Sequence, residues 1–98
     1  MSERERIERQ NAIDSLRHSI KCWKQRRARY RRELQKSEDK LSRAQAYGYR
    51  HKLAEAQAEI PEWIALIKST SFYIDLWESQ LAAKNAEPPQ RLTQETTE

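Results

Sequence analysis

Two side chains that can bind a metal ion, His18 and Cys22, stand four residues apart among helix-forming residues. On a helix this spacing puts both on one face, where an imidazole and a thiolate supply half of a tetrahedral zinc site. Two copies of the chain related by a dyad would supply all four ligands. No second such pair exists in the sequence, and both positions face solvent in the heptad pattern described below. We therefore expect two ordinary surface residues, with no metal site and no cofactor.

Acidic side chains occur at helical spacing in two places, Glu59 with Glu62 and Asp75 with Glu78. Such pairs are typical of a solvated helix face, and catalytic carboxylates need a pocket that shifts their pKa values. The sequence has no glycine-rich phosphate loop, no nucleophile elbow and no HExxH metal motif. We expect a protein that is not an enzyme and has no catalytic residues.

The segment with the strongest chemical character is residues 21–32, KCWKQRRARYRR, which has seven basic residues and no acidic one. Basic residues at this density attract an anionic partner, and arginine forms bidentate contacts with phosphate. Trp23 and Tyr30 are seven residues apart, so both fall on the inward side of a heptad rather than on a platform for bases. The predicted basic binding face comprises Arg17, Lys21, Lys24, Arg26, Arg29, Arg31 and Arg32.

A helix long enough to carry this face is predicted at 2–47. Ser2 with Glu5 forms a capping-box pattern, and stripe residues then recur at alternating intervals of three and four. The stripe comprises Ile13, Leu16, Ile20, Trp23, Arg27, Tyr30, Leu34, Ser37, Leu41 and Ala44. More than four heptads in one frame are typical of a coiled coil.

Gly48 is the only glycine in the sequence, and it closely follows the first stripe. Glycine readily takes the left-handed conformation that ends many helices. A second stripe starts at once, and its frame differs because Leu41 and Leu53 are twelve residues apart. Its members are Tyr49, Leu53, Ala56, Ile60, Trp63, Ile67, Thr70, Ile74, Trp77, Leu81 and Lys84. These patterns predict an all-α fold: a long antiparallel helical hairpin of coiled-coil type, with helix 1 at 2–47, a turn at Gly48 and helix 2 at 49–85.

Pro61 falls inside the second stripe, where its ring removes one helical hydrogen bond and crowds the carbonyl of Gln57. The stripe stays in frame through Pro61, which predicts a kink there. One alternative is a turn at Pro61, with helix 1 running through Gly48. Another is a single long helix that pairs with other copies of itself.

Arg27 and Thr70 are polar residues on stripes that are otherwise mainly apolar. Antiparallel pairing with residue numbers adding to about 97 places them in one layer, and it places Leu34 opposite Trp63. A buried polar residue can fix the register and oligomeric state of paired helices. We expect Arg27 and Thr70 to set the register.

The second helix also carries apolar residues off its main stripe. They are Ile64, Leu66, Phe72, Tyr73 and Leu76, and small residues such as Ala65 and Ser69 lie near them. A helix that is apolar on two sides needs two neighbours. We expect this apolar interface to join two hairpins into a homodimeric helical bundle, with docking on another protein as the alternative.

Charge is unevenly distributed along the 98 residues: residues 1–47 carry a net +7 and residues 48–98 a net −3. We expect one domain at 1–85 and a flexible C-terminal tail at 86–98, where paired prolines end the periodicity. The chain has one cysteine, no secretory leader pattern and no long apolar run. These features predict a cytoplasmic protein with no membrane span.

The function expected from these features is non-enzymatic binding. The chain would bind and modulate a larger protein with an acidic surface, as an adaptor, accessory subunit or inhibitor, through its basic face and its apolar face. One alternative is a DNA- or RNA-binding protein that uses residues 17–32 on phosphate backbones. The other is a structural coiled-coil subunit of a larger assembly.

Overall fold

The computed structural model describes residues 2–86, which form two helices, α1 at Glu3–Tyr47 and α2 at Arg50–Ala86. The helices pack side by side as an antiparallel hairpin with Gly48 at the turn. α1 has 45 residues, which corresponds to about 67 Å at 1.5 Å per residue. The predicted all-α hairpin is confirmed. The single long helix and the turn at Pro61 are wrong.

Both ends of α1 are defined by their caps. The Ser2 hydroxyl accepts a hydrogen bond from the Glu5 backbone N–H at 3.1 Å, which satisfies one donor that has no partner in the first turn. At the other end Gly48 has φ 72° and ψ 28°, and the N–H groups of Gly48 and Tyr49 both donate to the Ala44 carbonyl. Because residues with a Cβ rarely adopt this left-handed conformation, glycine at position 48 ends α1 and reverses the chain.

The core is a single narrow seam between the helices. Seven of the described residues are buried, and all seven belong to the two heptad stripes. They are Ile13, Ile20, Ser37 and Ala44 of α1 and Ala56, Thr70 and Ile74 of α2. Within residues 2–86 no third element covers the remaining sides of either helix, so each helix buries one stripe only.

Aromatic contacts across the seam report the register of the two helices. Trp23 packs edge-on against Trp77 with ring centroids 5.6 Å apart, and Tyr30 lies 5.9 Å from Trp63. The residue numbers of these pairs add to 100 and 93, on either side of the predicted value of about 97. The stripes therefore pair in the antiparallel register expected from their spacing.

α2 continues through Pro61 without a break. Pro61 therefore does not turn the chain or restart the helix, and a kink at this residue stays a prediction. α2 begins at Arg50 and ends at Ala86, one residue later at each end than predicted. The predicted flexible tail at 86–98 lies outside the described residues apart from Ala86, which belongs to α2. In the part of the chain that the structure describes, neither helix has a segment both long enough and apolar enough to cross a bilayer.

Candidate functional site

An aromatic cluster extends from the seam onto the surface of α2. Trp23 contacts two rings of α2, Trp77 at 5.6 Å and Tyr73 at 5.5 Å between centroids, and Tyr73 contacts Phe72 at 5.6 Å. Exposure increases outward along these rings, since Trp23 is half-buried, Tyr73 is 42% exposed and Phe72 is 63% exposed. The rings form one continuous apolar path from the seam to solvent.

Two arginines of α1 lie over aromatic rings, and one of these rings, Trp23, belongs to this cluster. The Arg26 guanidinium is 4.6 Å from the centroid of Trp23, and that of Arg29 is 5.9 Å from the centroid of Tyr30. Cation–π contacts hold a guanidinium over the ring face while its N–H groups stay available at its edge. The basic face and the apolar face, predicted as separate surfaces, therefore meet at Trp23.

Other members of the predicted basic face point to different sides of α1. Lys24 forms an ion pair with Glu78 at 2.9 Å, so it contributes to the contacts between the two helices. Arg17 lies opposite Arg26 on the helix, because nine residues rotate an α-helix by about 180°. The remaining exposed members are Arg17, Lys21, Arg31 and Arg32. The basic face thus wraps around α1, and Arg26 is its member that contacts a ring of the aromatic cluster.

The predicted apolar interface on α2 is exposed. The exposed fractions are 39% for Ile64, 41% for Leu66, 63% for Phe72, 42% for Tyr73 and 42% for Leu76. Helical geometry places Leu66, Phe72, Tyr73 and Leu76 within an arc of about 120°, whereas Ile64 lies about 160° from Leu66. We use the name aromatic patch for Trp23, Arg26, Phe72, Tyr73 and Leu76.

The two polar residues predicted to set the register make no hydrogen bond to each other. Thr70 is 2% exposed and donates its hydroxyl to the Leu66 carbonyl of the preceding turn at 2.6 Å. Arg27 is half-buried and donates from Nη1 to the Ser71 hydroxyl at 3.2 Å. Thr70 is therefore satisfied within α2, and Arg27–Ser71 is the polar contact between the helices at this level. That Arg27 and Thr70 set the register stays a prediction.

His18 and Cys22 lie side by side on α1, with Cys22 Sγ 3.5 Å from His18 Nε2. Cys22 is exposed. Among residues 2–86, no group of three or more His, Cys, Asp or Glu side chains is placed to hold a metal ion. The pair by itself supplies two of the four ligands that a structural zinc site uses.

A polar network close to the turn was not predicted. Lys40 Nζ lies 2.6 Å from one carboxylate oxygen of Glu59 and 3.3 Å from Glu55, and the buried Ser37 hydroxyl donates to the other Glu59 oxygen at 3.0 Å. The hydrogen bonds from Lys40 and Ser37 lower the pKa of Glu59, and the bond to Glu59 raises the pKa of Lys40. Lys40 and Glu59 have residue numbers that add to 99, so the register rule used for the stripes could have found this pair.

A cavity of about 380 Å³ lies next to the turn. It is lined by Lys36, Asp39, Lys40, Arg43, Ala44, Tyr47, Tyr49 and Lys52. On α1, positions 36, 40, 43 and 47 recur at intervals of four and three, so they form one row along the helix. A search for polar rows with this periodicity could have found the site, whereas a search for apolar stripes could not.

No known protein family, curated protein or solved structure matches this chain. Its function is therefore inferred from the chemistry of its surfaces. Two features of the surface could bind another molecule: the aromatic patch and the cavity next to the turn.

Proposed function

We propose that this chain is a non-enzymatic binding protein that docks through the aromatic patch on a larger protein with an acidic surface. In that role it modulates its partner as an adaptor, accessory subunit or inhibitor. The observation that carries the proposal is the position of Trp23, which contacts both Arg26 of α1 and Tyr73 of α2. Trp23 thereby joins an exposed apolar surface to a cationic one.

The residue types of the patch support binding to a protein. Trp, Tyr and Arg are enriched among interface residues whose removal costs about 2 kcal/mol or more, and aromatic residues are enriched in interface cores. Phe72 and Leu76 lie off the seam and remain 63% and 42% exposed. Apolar side chains grouped in this way are typical of a surface that another molecule covers.

Two arginines favour an acidic partner. Arg26 and Arg29 contact aromatic rings, and within residues 2–86 neither has a carboxylate at ion-pair distance. The planar guanidinium matches a carboxylate in a bidentate pair. Such a pair beside apolar rings is less screened than one in open solvent.

Nucleic acid is the second candidate partner, and the exposed basic residues on the other sides of α1 favour it. A phosphate backbone would engage Arg17 or Arg32 as readily as Arg26, and its binding would fall steeply with salt. Phe72 and Leu76 have no part in that mode of binding. The two candidates therefore differ in which side chains they require.

Affinity capture of the tagged full chain from its host, with and without nuclease, tests the proposal through matched variants. Phe72→Ser is compared with Tyr47→Ser, which removes another exposed ring at the turn. Arg26→Glu is compared with Arg17→Glu, which reverses the same charge on the opposite side of α1. We expect a protein partner that survives nuclease and binds both control variants, with affinity reduced at least about tenfold by Phe72→Ser and by Arg26→Glu.

Two outcomes would contradict docking on the patch. One is a partner that binds Phe72→Ser and Arg26→Glu as tightly as the parent chain. The other is binding that nuclease abolishes and that Arg17→Glu and Arg26→Glu weaken equally, which would identify nucleic acid.

The predicted homodimer would use the same apolar side chains as the partner. Replacing both Phe72 and Leu76 by Ser is therefore expected to weaken self-association in sedimentation equilibrium as well as partner binding. Helicity should remain, because neither side chain lies on the seam. Unchanged association and unchanged partner binding in this double variant would show that the apolar side of α2 is not an interface.

A further inference from the structure

The turn end of the hairpin has a cavity that the docking proposal does not use. Its volume of about 380 Å³ falls within the range of roughly 300–1,000 Å³ typical of small-ligand pockets. Its polar lining is mainly cationic. The charged and aromatic lining residues are Lys36, Lys40, Arg43, Lys52, Asp39, Tyr47 and Tyr49.

Two of these cations are available to an anion. Within the described residues, neither Arg43 nor Lys52 has a carboxylate at ion-pair distance. Lys36 pairs with Glu33 at 3.2 Å, but its side chain is 73% exposed, and exposed pairs of this kind exchange at little energetic cost. Lys40 is held by two carboxylates of α2. Arg43 and Lys52 are therefore the main anion-binding groups, and Lys36 can assist them.

The first turn of α2 adds to the positive potential beside the cavity. It contains Arg50, His51 and Lys52 and no acidic residue. Acidic residues favour this position because they offset the partial positive charge of a helix N-terminus. His51 lies 3.0 Å from Glu55, a full turn further along. An anion next to Lys52 would supply the negative charge that the first turn lacks.

Tyr47 and Tyr49 add aromatic surface to the same cavity. Their rings stack with centroids 5.8 Å apart and an interplanar angle of 29°. Tyr47 is 70% exposed and Tyr49 is 55% exposed, so neither ring is taken up by the seam. Both rings are thus accessible to a planar ligand, and nucleic-acid bases stack on exposed aromatic rings.

We propose that this cavity binds a nucleotide, with its phosphates on Arg43 and Lys52 and its base on the ring of Tyr47 or Tyr49. Inorganic phosphate would leave the rings unused, and an uncharged aromatic ligand would leave the cations unused. A nucleotide uses both. The cavity shares no residue with the aromatic patch, so this proposal and the docking proposal can each fail alone.

Nuclear magnetic resonance titration of the full chain at physiological salt tests the site with three probes. ATP carries both groups, tripolyphosphate lacks the base, and adenosine lacks the phosphates. We expect ATP to shift the amide signals of residues 43–52 and tripolyphosphate to bind about fivefold more weakly. Adenosine is expected to cause no shift up to about 5 mM, a concentration above the roughly 1 μM–1 mM range of typical KM values.

Matched variants distinguish binding of ATP in this cavity from general electrostatic attraction of ATP to a basic chain. Arg43→Gln with Lys52→Gln is expected to weaken ATP at least about tenfold, because charge-assisted hydrogen bonds are lost. Arg17→Gln with Arg32→Gln removes the same charge outside the cavity and is expected to weaken ATP by less than about twofold. Tyr47→Ala with Tyr49→Ala should lower the affinity for ATP to that for tripolyphosphate. All six residues are exposed, and circular dichroism checks that helicity is unchanged.

Three results would overturn the proposal. Equal weakening by the two double charge variants would show that ATP is attracted by net charge alone. Equal affinity for ATP and tripolyphosphate in the parent chain would exclude a role for the base. The absence of any shift with ATP up to about 5 mM would exclude the site itself.

Discussion

The seam near the turn and the seam towards the open end of the hairpin are built from residues of different size. Near the turn the buried side chains are small, with Ala44 1% exposed, Ala56 0% and Ser37 3%. Towards the open end Trp23 and Trp77 lie on the same stripes but are only half-buried. Within this hairpin the largest apolar side chains are thus less completely covered than the smallest ones.

The difference follows from the geometry of two packed helices. Small residues let the two backbones approach, so the helices themselves cover the side chains between them. Indole rings are wider than the seam, which no third helix covers within residues 2–86. The slimmer Ile74 stays 1% exposed in the aromatic half, while the rings beside it continue outward to Tyr73 and Phe72. The two helices therefore bury the small side chains near the turn almost completely and leave the large rings of the aromatic half partly exposed, where we place the partner.

The largest effect on stability is expected from Ile74→Ala. This truncation removes buried methyl and methylene groups and leaves a cavity, so it should lower the free energy of unfolding by about 2–5 kcal/mol. Urea unfolding followed by circular dichroism measures the change. The matched control is Leu76→Ala, which is 42% exposed in the parent and should cost less than about 1 kcal/mol. Equal losses in the two variants would contradict the described packing of the aromatic half.

A smaller loss of stability is expected from Ala56→Leu, near the turn. Ala56 is 0% exposed, so a larger side chain must push the helices apart and should lower the free energy of unfolding by about 1–3 kcal/mol. Ala58→Leu places the same side chain at an exposed position of α2 and serves as the control. If thermal unfolding shows Ala56→Leu to be as stable as Ala58→Leu, the turn end is not closely packed.

Residue spacing was sufficient to predict both helices, their register and the turn, because heptads and a lone glycine report on backbone geometry. The stacking of Arg26 on Trp23 did not follow from spacing, since it depends on the rotamers of two side chains. The stacked tyrosines depend on the backbone path through Gly48. The apolar interface was predicted as the apolar residues of α2 off its main stripe, and helical geometry spreads these five residues over about 200°, so they do not all share one face.

Between the two ends, Arg27→Leu tests the polar contact within the seam. Arg27 is half-buried and makes its cross-helix hydrogen bond to Ser71, so an apolar side chain should raise the free energy of unfolding by about 1 kcal/mol. The same replacement removes a residue expected to set the register, so sedimentation equilibrium should show altered self-association. A less stable variant with unchanged association would show that the Arg27–Ser71 contact stabilises the hairpin and leaves its oligomeric state alone.

The smallest expected effect is on the pH dependence of stability, to which the Lys40–Glu59 pair near the turn contributes. The lowered pKa of Glu59 means that its contribution to stability is fully present above its ordinary value of 4.5 and is lost as pH falls through the lowered pKa. The raised pKa of Lys40 means that its contribution is fully present below 10.5 and is lost as pH rises through the raised pKa.

Lys40→Met should therefore flatten the decline of the melting temperature as pH falls below about 4.5, the ordinary pKa of Glu59. Lys36→Met is the matched control, because it removes a lysine whose ion pair with Glu33 lies within α1 and is more exposed. If both variants change the decline of the melting temperature at acidic pH by the same amount, the cross-helix Lys40–Glu59 pair contributes no more to stability than the Lys36–Glu33 pair.

Hydroxyl-radical footprinting of side chains, in the free protein and in complex with the captured partner, tests most directly whether the partner docks on the aromatic patch. In the free protein Phe72, Tyr73 and Leu76 should be oxidised readily, while Ile74 is protected. On binding, the three patch residues should become protected, and Tyr47 at the turn should react as before. Protection of Tyr47 with no change at Phe72 would contradict the account, because it would place the partner at the turn and not on the aromatic patch.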